Sequence, residues 1–137
     1  MSIRAIPLLI FVFVFYNLIV LFGGNADPNI ALRKEVFGFT LPNGKFPWSF
    51  SRGDLVILLL LVMLFFELLK ATYTSTTSLL DHGLSMLVFV VCLIEFLMIS
   101  HAQTSIFFFL VVATLIDVIA GYTIGIRVAR RDLAIGG

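Results

Sequence analysis

The chain has 137 residues, of which 61% are hydrophobic and only 12% charged, with a mean hydropathy of +1.14. A soluble domain is usually ~45–50% apolar and ~25% charged, so the excess apolar surface must face something other than water. The length allows one domain, residues 1–137, and a net charge of +1 gives no basis for a nucleic-acid partner.

In chain order, the first apolar stretch covers residues 3–22, with Pro7 tolerated in its first turn. Arg4, the apolar run and the small residues of "GGNAD" have the outline of a signal peptide. The run exceeds the ~7–15 residues of a typical signal core, so it reads as a true helix. After Arg4, Tyr16 and Asn17 are its only polar side chains before Phe22, which makes it the most lipid-facing element.

The connection at residues 23–52 is long enough for structure of its own. In "VFGFTLPNGKFPWSF", Phe37, Phe39 and Leu41 alternate, "PNGK" turns, and Phe46, Trp48 and Phe50 alternate again. Period-two patterning about Asn-Gly reads as a short β-hairpin with Pro47 on an irregular or edge strand. An irregular amphipathic loop fits equally well. In both readings the aromatic residues lie at a membrane surface, and the segment is the best candidate for a partner contact.

The second stretch covers residues 55–73. Ser75, Thr76, Thr77 and Ser78 follow as turn and cap, and "SLLD" places Ser78 and Asp81 as a capping box for the third stretch, residues 79–100. The fourth covers 105–126 and is followed by a basic tail, 127–137. Short links make the second and third stretches, and the third and fourth, antiparallel neighbours.

Four crossings put both termini on one side. That side would carry Arg4, Lys70, Arg127, Arg130 and Arg131, against Arg33, Lys34, Lys45 and Arg52 opposite. The Arg trio assigns both termini to the cytoplasm, and the composition suits a bacterial inner (plasma) membrane.

Three acids stand inside apolar stretches: Glu67, Glu95 and Asp117. An acid at the bilayer centre costs ~2.5–3.5 kcal/mol on insertion scales, so these carboxyls are expected to face other helices. They act either as polar helix contacts or, with Lys70, His82 and His101, as parts of a proton or ion path. Lys70 shares a helix face with Glu67 and is near enough to the helix end to reach the headgroups. Gly121 and Gly125 form a GxxxG motif, in a stripe with Ala113 and Asp117, that suits close helix packing. His82 and His101 are 19 residues apart, roughly 28 Å at helical rise, and cannot ligate one cofactor within one chain. The lone Cys92 offers no disulfide or metal pair, so no metal or cofactor is expected.

No P-loop, nucleophile elbow or HExxH occurs, and no family is recognised in these motifs. The expectation is an all-α integral membrane protein: an antiparallel bundle of four transmembrane helices with a structured loop between the first two. Its expected role is non-enzymatic, as a homo-oligomer building block or accessory subunit of a membrane complex. The alternative is an oligomeric ion or proton channel, or a proton-coupled transporter.

Overall fold

A computed structural model describes residues 6–24, 26–73 and 77–136. Arg4 and the expected helix start at residue 3 lie outside the described residues, as do Ser75, Thr76 and the side chains of Thr77 and Ser78. The chain is mostly helical with one two-stranded antiparallel sheet. Its elements are α1 (Leu9–Phe22), α2 (Pro28–Arg33), β1 (Glu35–Thr40), β2 (Pro47–Ser51), α3 (Arg52–Lys70), α4 (Thr77–Met98), a 3-10 turn (Ser100–Ala102) and α5 (Ser105–Gly136).

Local chemistry explains where the boundaries differ from expectation. The helix α1 begins after Pro7, whose carbonyl accepts the Ile10 N–H at 3.2 Å. The segment 23–52 contains a helix not expected there, α2, started by the Asp27 carboxylate accepting the Asn29 N–H and by Pro28 in the first turn. The helix α3 starts three residues early because Ser51 and Asp54 form a reciprocal capping box, at 3.2 and 3.0 Å. Extended backbone at Ile99 ends α4 before residue 100. The basic tail is not a separate segment: α5 continues through it, since "RVARRDLAI" contains no helix breaker.

The hairpin is present. Phe37 pairs with Phe50 and Phe39 with Trp48, with an irregularity between Glu35 and Phe37. Its turn is not centred on Asn43-Gly44. The Gly44 N–H donates to the Leu41 carbonyl at 2.9 Å, so Pro42 and Asn43 are the central residues and the connection runs from Leu41 to Phe46. Phe46 lies in that connection, 81% exposed, and is not part of β2.

The long helices alternate in direction. Leu8, at the start of α1, meets Glu67 at the end of α3. His82, at the start of α4, meets Gly125 late in α5, while Gly53 and Ile106 meet at the starts of α3 and α5. One end of the molecule therefore holds the starts of α1 and α4 and the ends of α3 and α5, and the other holds α2, the hairpin and the 3-10 turn.

Contrary to the expectation from the short α3–α4 link, α3 packs mainly on α5 and α1, and α5 lies between α3 and α4. The physical reason is the breadth of the buried surface of α5, which includes Phe107, Leu110, Val111, Ala113, Thr114, Asp117 and Val118. Nor is α1 simply an outward-facing helix. Leu9, Val12, Tyr16 and Val20 make one buried stripe, with Phe11, Val14, Leu18 and Leu21 outward. Outward apolar side chains recur on α3 (Leu58, Leu61, Phe65), α4 (Leu87, Ile94, Leu97) and α5 (Phe108, Ile116, Ile119).

Among the described residues, two helical segments are long and apolar enough to cross a membrane: Leu80–Met98 and Ser105–Val128. The described α1 is a shorter apolar helix of 14 residues, and α3 carries Arg52, Asp54, Glu67 and Lys70 near its ends. The four-span expectation is thus not established by helix length and composition.

Tyr16 fixes α1 against the 3-10 turn and the start of α5. Its hydroxyl donates to the His101 carbonyl at 2.7 Å and accepts from the Thr104 hydroxyl at 2.7 Å, while the Thr104 oxygen accepts the Phe107 N–H at 3.2 Å. Every donor in this chain has one acceptor, and the Tyr16 ring packs 5.0 Å from Phe107. Tyr16→Phe keeps the packing and orphans the buried groups, so it is expected to cost about 1–3 kcal/mol, read as a lowered melting midpoint in detergent.

Candidate functional site

The polar residues of the apolar helices fall into two separate groups. At the end holding the starts of α1 and α4, Glu67 is 3% exposed, and one of its carboxylate oxygens accepts both the Leu8 N–H at 2.7 Å and the Lys70 ammonium at 3.0 Å. Lys70 also donates to the Ile6 carbonyl at 2.9 Å and lies 3.5 Å from Asp81 Oδ1. Residues on α3 thus satisfy both a donor and an acceptor at the entrance of α1, where the amides have no intrahelical partners. The Lys70 side chain turns inward among these groups. Its side chain is 21% exposed and folds between the two carboxylates, because they outcompete water for it in an apolar setting.

Asp117, on α5 and 5% exposed, completes this group. It accepts the buried Ser85 hydroxyl from α4 and lies in electrostatic range of Glu67, Asp81 and Lys70. Among the described residues, Asp81 Oδ1 is the buried side-chain polar atom without a hydrogen-bond partner. The cluster ties α1, α3, α4 and α5 together, with three carboxyls around one ammonium.

His82 borders the cluster through its chain neighbour Asp81, and the GxxxG motif explains its position. A methyl group on Gly125 would lie 2.9 Å from His82 Nε2, and one on Gly121 would lie 3.2 Å from the ring. The glycines therefore admit an imidazole rather than a helix backbone, and Tyr122 stacks on that ring at 4.8 Å. His101 sits beyond the other end of α4, where its backbone carbonyl, not its ring, accepts from Tyr16.

Glu95 does not join Glu67 and Asp117. It is partly exposed on α4 and accepts from Asn17 of α1 at 3.3 Å, with the Asn17 amide also donating to the Phe13 carbonyl at 2.9 Å. It lies six residues past the middle of Leu80–Met98, about 9 Å along the helix.

The hairpin carries the third feature. Phe37, Phe39, Trp48 and Phe50 form a ring cluster with centroid separations from 5.0 to 6.5 Å. Phe37, Phe39 and Trp48 are 48%, 54% and 40% exposed, so their shared face is open. Phe46, expected among them, is outside this cluster because it precedes the strand.

Asp81, expected as a cap, and Ser85, expected in a polar stripe of its helix, join the cluster instead. Their spacing of four residues on one helix was the available signal. No group of three or more His, Cys, Asp or Glu among the described residues is arranged to hold a metal ion. Comparison with protein-family models, curated proteins and solved structures finds no match to this chain.

Lys70→Met leaves buried carboxylates without their cation and is expected to cost ~3–5 kcal/mol, whereas Lys70→Met combined with Glu67→Gln should recover part of the loss. Thermal unfolding of the three proteins in one detergent measures the coupling. Gly125→Ala should cost ~1–3 kcal/mol by displacing His82, and in the Gly125→Ala/His82→Ala protein that cost should largely vanish.

Proposed function

We propose that this chain is a small, non-enzymatic integral membrane protein whose four long helices all cross the bilayer, and that it works as a protomer of a homo-oligomer or larger membrane complex. Outward apolar side chains on all four helices support the membrane setting, since water would not tolerate so much apolar surface. The charges of α3 lie toward its ends, leaving residues 55–66 uncharged, and α1 packs antiparallel along α3. The Arg residues at 127, 130 and 131, late in α5, favour the cytoplasmic side of a bacterial inner membrane for that end of the bundle.

Glu67 and Asp117 support the structural role over transport. Both are buried in contacts between helices of the same chain, where their partners are a backbone amide, an ammonium and a hydroxyl. Such groups set helix register in an apolar medium.

The observation that carries the oligomer is Glu95. It is a partly exposed carboxyl on the least buried long apolar helix, with 17% of the α4 span buried against 44% for α5. About 9 Å from mid-span it is still within the hydrocarbon core, whose half-thickness is ~15 Å. A carboxyl there calls for cover, and a second chain against Ile94, Leu97 and Glu95 supplies it.

The test is the oligomeric state of the purified full chain in mild detergent and in nanodiscs, beside proton flux in liposomes. Wild type is expected to be oligomeric and proton-tight, and Glu95→Ala is expected to be a folded monomer. A monomeric wild type overturns the homo-oligomer and leaves only assembly with other chains. A proton flux abolished by Asp117→Asn or Glu95→Gln replaces it with transport.

A further inference from the structure

At the end of the molecule opposite the charge cluster, a cavity of about 380 Å³ is lined by Gly23, Ile30, Ala31, Arg33, Lys34 and Arg52. Its volume falls within the ~300–1,000 Å³ common for ligand sites. Three of its six lining residues are cations and none is an acid.

The fold builds this arrangement from separate pieces. The last turn of α2 supplies Arg33, its C-cap is Lys34, and Arg52 opens α3. The Arg52 N–H donates to the Lys34 carbonyl at 2.9 Å, which holds the two segments together, so that Arg33, Lys34 and Arg52 line one opening. The end of α1 closes the apolar wall. A methyl group on Gly23 would lie 2.5 Å from the Ala31 side chain, and Gly24, at φ +71°, turns the backbone into this contact.

Asp27, Glu35 and Asp54 are nearby in the chain, but none of them lines the cavity. The Asp27 carboxylate caps α2 through Asn29, and that of Asp54 accepts the Ser51 N–H. Among the described residues, neither Arg33, Lys34 nor Arg52 forms an ion pair. Three like charges gathered at one opening repel each other, and an anion there relieves that repulsion. Two guanidinium groups and an ammonium match the several oxygens of a phosphate better than a single carboxylate.

We propose that this cavity binds a phosphate group, and that its source is the headgroup of an anionic phospholipid. The lipid source rests on the membrane reading above. The hairpin joins directly to Arg52, and the open face of Trp48 and its neighbouring rings suits the interfacial layer where headgroup phosphates lie. Ile30, 54% exposed, offers an apolar surface for the start of an acyl chain.

Trp48 is the only tryptophan, so its fluorescence reports this region without labelling. The full chain is reconstituted in phosphatidylcholine vesicles containing phosphatidylglycerol or phosphatidylcholine with brominated chains. Quenching gives the relative affinity of the two headgroups. Phosphatidylglycerol should be favoured at least about fivefold, the size of one cation's attraction to an anionic surface, and salt should weaken the preference. Arg33→Gln/Arg52→Gln should bring the ratio close to one, and Arg33→Gln alone, on exposed α2, should lower it without touching α3. Lys45→Gln, in the hairpin connection, should leave it unchanged.

A second arm titrates inorganic phosphate into the protein in dodecyl maltoside. A saturable Trp48 response lost in Arg33→Gln/Arg52→Gln, without headgroup preference in vesicles, assigns the site to free phosphate and overturns the lipid source. Equal headgroup affinities and no phosphate response overturn the site. Failure of the protein to float with vesicles defeats the membrane reading instead, and the phosphate titration then decides the site by itself.

Discussion

Lys70 is the contact on which one half of the molecule depends. Its ammonium joins the Ile6 carbonyl, the Glu67 carboxylate and the Asp81 carboxylate, and so gathers the approach to α1, the end of α3 and the start of α4 at one point. The helices are apolar on inner and outer faces alike, so hydrophobic burial does not by itself select which face turns inward. A charged group that must find partners does, because an unpaired charge in that setting costs several kcal/mol. Glu67 then orients α1 through the Leu8 amide, and Asp117 brings α5 to the same cluster.

The opposite half is organised without any ion pair of this kind among the described residues. There Tyr16 and Thr104 link α1 to the 3-10 turn and the first turn of α5, in a chain of hydrogen bonds that leaves no donor unused. Phe107 fills the space beneath, with Phe13, Tyr16 and Phe96 around it. The two halves therefore constrain α1 differently, by charge at its entrance and by a neutral network further along. The hairpin and α2 extend from the neutral half, which leaves their basic and aromatic residues accessible.

Much of this was legible in local sequence. Alternating aromatics around "PNGK" encode the strand pairing of Phe37 with Phe50 and Phe39 with Trp48, because period two is a property of the strand itself. Asp27-Pro28 is an equally local signal for α2, but six residues add no apolar periodicity. The turn lies one residue earlier than Asn-Gly suggests, since the Leu41 carbonyl accepts the Gly44 N–H around Pro42 and Asn43. The candidate site was only partly legible. Glu67, Lys70 and Asp117 stand out as charges in apolar helices, but nothing local separates Glu95 from them.

By itself, the sequence determined the apolar helices, the period-two aromatic pattern and the presence of costly polar groups within the helices, since each of these follows from spacing along a few turns or strands. Tertiary structure alone decided that α5 lies between α3 and α4, that Glu95 pairs with Asn17 away from the other acids, and that Gly121 and Gly125 admit the His82 ring. Those outcomes depend on the rotation of each helix about its own axis. That rotation is set where polar groups from distant segments meet, as Lys70 meets Glu67 and Asp81, and no local pattern contains it.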